Sequence, residues 1–145
     1  MQNGPTLGDM AITVGFNHVA TGTPDLDRLI RFYGEAFQAT VVHEIPLGDG
    51  HPRMAIIDLG GGSMLNAAEV PADSILGERR AIGRRGAIDH YGLAVDSLLT
   101  LEAVRQRILD AGGEVGDIQR LGAEWSLFFR DPDGMELEVC APGDT

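Results

Sequence analysis

The sequence predicts an α+β fold built from one unit used twice. Three observations carry this. The same order of elements, a strand, a helix and then three strands, runs through both halves. A glycine-bearing turn recurs at the equivalent place, Gly60-Gly61-Gly62 in the first half and Asp131-Pro132-Asp133-Gly134 in the second. Laying the second half on the first so that His18 falls on His90, a shift of 72 residues, puts Gly62 on Gly134, Leu65 on Leu137 and Asn66 on Glu138. The expected organisation is one domain over 1–145, with module 1 at about 14–70, a connector at 71–86 and module 2 at about 87–141.

The elements follow from local patterning. Val14, Phe16, His18 and Ala20 alternate with Gly15, Asn17 and Val19, the period of a strand. Thr23 is the expected N-cap of the next helix, Pro24 suits its first position, and Asp25 and Asp27 complement its dipole. Leu26, Leu29, Ile30, Tyr33, Ala36 and Phe37 form one stripe at helical spacing, and the helix is expected to stop near Gln38. Strands are expected over Thr40–Ile45, Arg53–Leu59 and Ser63–Ala68, with turn chemistry at Pro46 to Pro52 and at the three glycines. The connector is polar, carries Arg79, Arg80, Arg84 and Arg85, and has room for a short helix.

The order then repeats. Ala87–Val95 reads as a strand with Ile88, His90 and Gly92 on one face. Thr100 is the expected cap of a helix whose stripe is Leu101, Val104, Ile108 and Ala111, and Gly112-Gly113 ends it. Glu114–Gln119 is a weaker strand; Trp125–Arg130 and Met135–Cys140 are stronger ones.

Bulk properties narrow the function. With 43% hydrophobic and 23% charged residues the 145-residue chain can build a core. Its 22 acidic and 11 basic residues give a formal charge of −11, which argues against nucleic acid and against an anionic membrane surface as partners. A small-molecule substrate fits better. The single cysteine, Cys140, rules out an internal disulfide, and there is no apolar run of the roughly 18 residues a membrane span needs. With no signal-peptide pattern, the expected location is cytoplasmic.

The repeat also concentrates chemistry. Each half sets a histidine on its first strand and a polar residue on its last. In the final strand Met135, Leu137 and Val139 share one face, while Glu136, Glu138 and Cys140 share the other, so Glu138 alternates out of the apolar series as a cavity-lining residue would. Two imidazoles and a carboxylate, His18, His90 and Glu138, suit a divalent metal such as Fe, Mn, Zn or Ni. Asn66 is a neutral donor in a possible fourth slot. Glu136, Cys140, His43 and His51 read as structural or solvated side chains, and Trp125, Phe128 and Phe129 mostly as core; no general base can be assigned.

These halves, the histidine-bearing strands, the run FFRDPDGMELEV from Phe128 to Val139 and the run IDLGGGSMLN from Ile57 to Asn66 resemble the vicinal oxygen chelate superfamily. That group includes glyoxalase I, extradiol dioxygenases, methylmalonyl-CoA epimerase and antibiotic resistance proteins. The sharpest motif is the Asp131 to Gly134 turn followed by Glu138, seven residues after its first Asp. The resemblance implies two tandem βαβββ modules forming a half-open, barrel-like sheet around a cup-shaped site. It implies metal slots at His18, Asn66, His90 and Glu138, and a homodimer. Asn66 departs from the Glu, Gln or His usual in glyoxalase-type and epimerase-type members. The implied function is a metal-dependent enzyme that binds two adjacent substrate oxygens, by dioxygenase, isomerase or lyase chemistry. The alternatives are a metal-free small-molecule binding protein of the bleomycin-resistance type and a regulatory domain that keeps the fold.

Overall fold

A computed structural model describes residues 11–75 and 88–145. The first module contains β1 (His18–Thr23), α1 (Leu26–Phe37), β2 (Thr40–Ile45), β3 (Met54–Gly60) and β4 (Ser63–Glu69). The second contains β5 (Tyr91–Ala94), α2 (Leu98–Asp110), β6 (Glu114–Val115), β7 (Gln119–Leu121), β8 (Glu124–Arg130) and β9 (Glu136–Pro142). The expected α+β class and the repeated βαβββ plan are both present. A 3₁₀ turn occupies Ala72–Ser74 at the start of the connector; its arginines lie outside the described residues.

The two sheets have the same wiring, β1-β4-β3-β2 and β5-β9-β8-β6, with β7 also pairing with β8. In each, the first strand runs parallel to the last, because a helix and further strands, two in the first module and three in the second, intervene before the chain returns beside it. The registers match across the repeat: Ala20 is opposite Asn66, and Gly92 is opposite Glu138. The sheets are not closed on one another, so the half-open barrel consists of two separate four-strand paths.

Several boundaries differ from the sequence reading for identifiable reasons. The strand expected from Val14 starts at His18, because its partner β4 begins only at Ser63 and the ladder has nothing earlier to pair with. The strand expected from Ala87 starts at Tyr91 for the same reason, set by Glu136 at the start of β9. Asp25, not Thr23, caps α1, its Oδ1 accepting the Arg28 N–H at 3.0 Å. Thr23 is buried one step earlier, where its hydroxyl oxygen accepts the Asp25 N–H at 3.1 Å and shapes the entry turn. Ser97, not Thr100, caps α2 by accepting the Thr100 N–H at 3.1 Å. The weak strand at Glu114–Gln119 divides into β6 and β7 along β8.

One apolar core serves both modules. Leu26, Leu29, Phe32, Tyr33 and Ala36 of α1 join alternate residues of β3, β4, β8 and β9 and the stripe Leu101, Val104 and Ile108 of α2. Phe32, absent from the expected stripe, is buried; it packs tilted at 6.3 Å from Phe129, and Phe37 lies 5.3 Å from the same ring. Gly113 permits the close seating of α2, since a Cβ there would stand 2.7 Å from Phe32. Polar ties cross the same boundary: the Tyr33 hydroxyl donates to Asp131 at 2.9 Å, and Arg28 donates to Asp133 at 2.6 Å. Among the described residues no helix is long and apolar enough to cross a membrane.

Candidate metal site

The apolar face of each sheet is spent on the core, with Leu65 and Ala67 of β4 and Leu137 and Val139 of β9 buried. Asn66 and Glu138 therefore point to the opposite faces, as strand alternation requires. His18 opens β1, and His90 immediately precedes β5. Both histidines line one cavity of about 530 Å³ between the two modules, walled by apolar side chains that include Phe16, Met64, Ile88 and Met135.

His90 is the best-connected member. Its Nε2 is 2.9 Å from Glu138 Oε2, and its Nδ1 is 2.8 Å from Asp89 Oδ2. Phe128 meets the ring edge-on at 5.2 Å. The Asp89 hydrogen bond is the main cause that holds the imidazolium above its ordinary pKa; burial opposes it, and Glu138 assists. For Glu138, burial pushes the carboxyl up, but hydrogen bonds from Ser126 and Cys140 and the adjacent His90 outweigh it, so its pKa is lowered. Ser126 is fully buried and donates to Glu138 Oε1 at 2.5 Å. Burial and the neighbouring Glu138 and Glu124 push the Cys140 thiol up to about 12, which keeps it protonated and poorly nucleophilic at neutral pH.

The first module is looser. His18 is exposed, with Nδ1 2.9 Å from Asn17 Oδ1. The Asn66 amide oxygen is buried without a hydrogen-bond partner. No hydrogen bond joins either residue to the His90–Glu138 pair, and among the described residues no group of three or more His, Cys, Asp or Glu side chains is arranged to hold a metal. Of the four expected slots, the fold thus brings two into contact and leaves His18 and Asn66 apart from them. The donor chemistry nevertheless suits a cation: an imidazole nitrogen and a carboxylate oxygen face one another, and the repeat-equivalent slot offers an unpartnered oxygen.

Three residues of this neighbourhood were not singled out by sequence reasoning. Asn17 and Asp89 are related by the same shift of 72, so a polar residue directly before each histidine was the available signal. Ser126 was marked only by being the one hydroxyl in the otherwise apolar run from Trp125 to Phe129. His43 and His51 do not line the cavity. Nor, against the expectation for Glu138, do Glu138 and Asn66: both stand on the strand faces away from Leu65 and Leu137, which do line it.

Residues 15–139 match the family model of the Glyoxalase/Bleomycin resistance protein/Dioxygenase superfamily. The chain belongs to this superfamily. The metallothiol transferase FosB of Shouchella clausii (strain KSM-K16) is 29% identical over 128 residues, covering 86% of this chain and 78% of that protein. The mitochondrial methylmalonyl-CoA epimerase of Bos taurus is 26% identical over 104 residues, covering 69% of this chain; this chain spans only 59% of the epimerase. The crystal structure of a glyoxylase/bleomycin resistance protein/dioxygenase domain from Frankia sp. EAN1pec superimposes with a TM-score of 0.73 at 28% identity, over 90% of this chain and 98% of that one. The glyoxalase superfamily includes non-enzymes as well as enzymes such as these two relatives.

Proposed function

We propose that this protein is a small metal-dependent enzyme of the glyoxalase superfamily, with His18, His90 and Glu138 as ligands of a divalent ion of the Fe, Mn, Zn or Ni class. The observation that carries the reading is the 2.9 Å approach of His90 Nε2 to Glu138 Oε2, at positions that the repeat equates with His18 and Asn66. A divalent ion bound there would supply Lewis acidity to a substrate presenting two neighbouring oxygens. Dioxygenase, isomerase and lyase chemistry all use that arrangement.

The chain's own residues take defined parts. Ser126 holds one oxygen of Glu138 and leaves the other turned toward His90. The apolar walls of the cavity take up the body of the substrate and exclude water. Asn66, neutral and with an unpartnered oxygen, accepts a hydrogen bond from substrate or water instead of adding charge. The homodimer is part of the same proposal: Ile12, Val14 and Phe16 alternate along the segment before β1 and are 73%, 107% and 90% exposed, an apolar surface that a second copy would cover.

A second reading is a metal-free small-molecule binding protein. The apolar walls of the cavity and the neutral Asn66 favour it. Metal analysis of the purified protein separates the two. The enzyme reading expects a stoichiometric divalent metal that is lost in His90→Ala and Glu138→Ala. A protein that purifies without metal and takes up no added Fe, Mn, Zn, Ni or Co overturns it.

A further inference from the structure

Strands β1 and β5 stand at the edges of their sheets, each with one paired neighbour among the described strands, β4 and β9. Both give consecutive residues to the cavity of about 530 Å³, His18, Val19 and Ala20 from one and Tyr91, Gly92 and Leu93 from the other. Successive side chains of a strand point to opposite faces. A cavity that touches all of them runs along the strand edge, so it is a slot between two open edges. The repeat builds this slot: Val19 and Tyr91, Ala20 and Gly92, and Leu65 and Leu137 are lining pairs 72 residues apart. Both modules of a single chain therefore wall it.

The lining has one chemical character. Among the described residues no Asp, Glu, Lys or Arg side chain takes part in it. His90 is already engaged by Asp89 and Glu138, which lie outside the lining. The slot's neutral polar groups are the side chains of Asn17 and Ser63 and the backbone N–H and C=O groups along the two open edges. We propose that the slot binds an uncharged, chiefly hydrocarbon molecule whose few polar groups are hydroxyl, carbonyl or amide. A charged group carried into such a lining loses its water and gains no partner of opposite sign. Neutral donors and acceptors, in contrast, find their complement on the strand edges. The volume of about 530 Å³ lies in the range of pockets that enclose a small ligand. The inference deepens the proposed function by naming the substrate class, and it rests on that section's reading of the cavity as the place where the substrate body lies.

The test uses N-phenylnaphthylamine, a neutral dye that brightens in apolar surroundings, against its sulfonate, which has the same rings and one negative charge. The protein is first freed of metal with a chelator, so the result does not depend on a bound ion. One neutral dye molecule per chain is expected, with the sulfonate bound at least about tenfold more weakly. A Cβ added at Gly92 meets no atom within 4 Å, so Gly92→Leu is expected to fold and to take up room in the slot. Gly92→Leu and the repeat-equivalent Ala20→Leu are each expected to weaken the neutral dye about tenfold with an unchanged thermal melt. A folded wild type that takes up no neutral dye, a sulfonate that binds equally well or better, or undiminished binding in both folded Leu variants overturns the proposal. Metal uptake is measured separately. A protein that binds the dye but no metal loses the proposed enzyme and keeps the slot; one that binds metal but no dye loses the slot alone.

Discussion

Ser126 on β8 and Glu138 on β9 are joined at 2.5 Å through a hydroxyl with no solvent exposure. Registered side by side with Cys140 and Phe128, they form a small polar island on a strand pair whose other face is wholly apolar. Replacing Ser126 by Ala removes the donor and leaves a carboxylate oxygen short of a partner. The expected cost is about 1.5–3 kcal/mol in urea denaturation, as for a hydrogen bond to a charged group. A folded Ser126→Ala protein with wild-type stability would show that the contact contributes nothing.

The hydroxyl of Tyr33 reaches across 98 residues to Asp131. Tyr33→Phe preserves the ring in the core and deletes the bond to Asp131, so a loss of about 1.5–3 kcal/mol is expected. The aromatic packing with Phe32 and Phe37 stays in place, which makes the measurement specific to the hydroxyl.

Asp131 carries a pH signature. Burial pushes its carboxyl above the ordinary value of 3.8, against the pull of the Tyr33 hydroxyl and the N–H groups of Met135 and Asp133. A raised native pKa means that the folded state binds the proton more tightly than the unfolded one. Stability then falls as pH rises from the unfolded value through the native one. Asp131→Asn lacks this proton, so the stability difference between the two proteins, followed by urea denaturation over that window, is expected to move in favour of the variant as pH rises. A constant difference would contradict it.

Glu69 at the end of β4 accepts the Leu26 N–H at 2.9 Å, while Asp25 accepts the Arg28 N–H. The start of α1 is therefore held by a local cap and by one arriving from 43 residues away. Asp25→Ala is expected to cost about 1 kcal/mol and Asp25→Ser very little. Thermal melts of these variants and of Glu69→Ala would separate the local from the distant contribution.

The exposed run before β1 offers a test of assembly. Val14→Asp and Phe16→Asp place charge on side chains that are 107% and 90% exposed, so the fold is expected to survive. Sedimentation should show the wild type as a dimer and the double variant shifted toward monomer. A monomeric wild type removes the proposed homodimer.

The repeat was legible because its signals are short-range: helical stripes, turn glycines and two-residue alternation. Strand ends were not, since β1 and β5 begin where β4 and β9 offer a partner, a fact about distant residues. Caps moved for a related reason: Thr23 and Thr100 have the right chemistry, but the neighbouring Asp25 and Ser97 stand at the required backbone geometry. In the site, alternation correctly turned Glu138 away from the core. It did not reveal the contacts of Asp89 and Ser126, which depend on side-chain reach, nor that His18 would stand apart from the pair formed by His90 and Glu138.

The shared core has a consequence for how the chain can be divided. Phe129 of one half is packed by Phe32 and Phe37 of the other, and Asp131 is capped by Tyr33. Neither repeat can close its apolar surface alone, so cutting the connector yields two fragments that need each other to fold. Co-expressed, such fragments would reassemble through the interface that the duplication left behind, and complementation of a split chain becomes the natural measure of how strongly the two halves hold together.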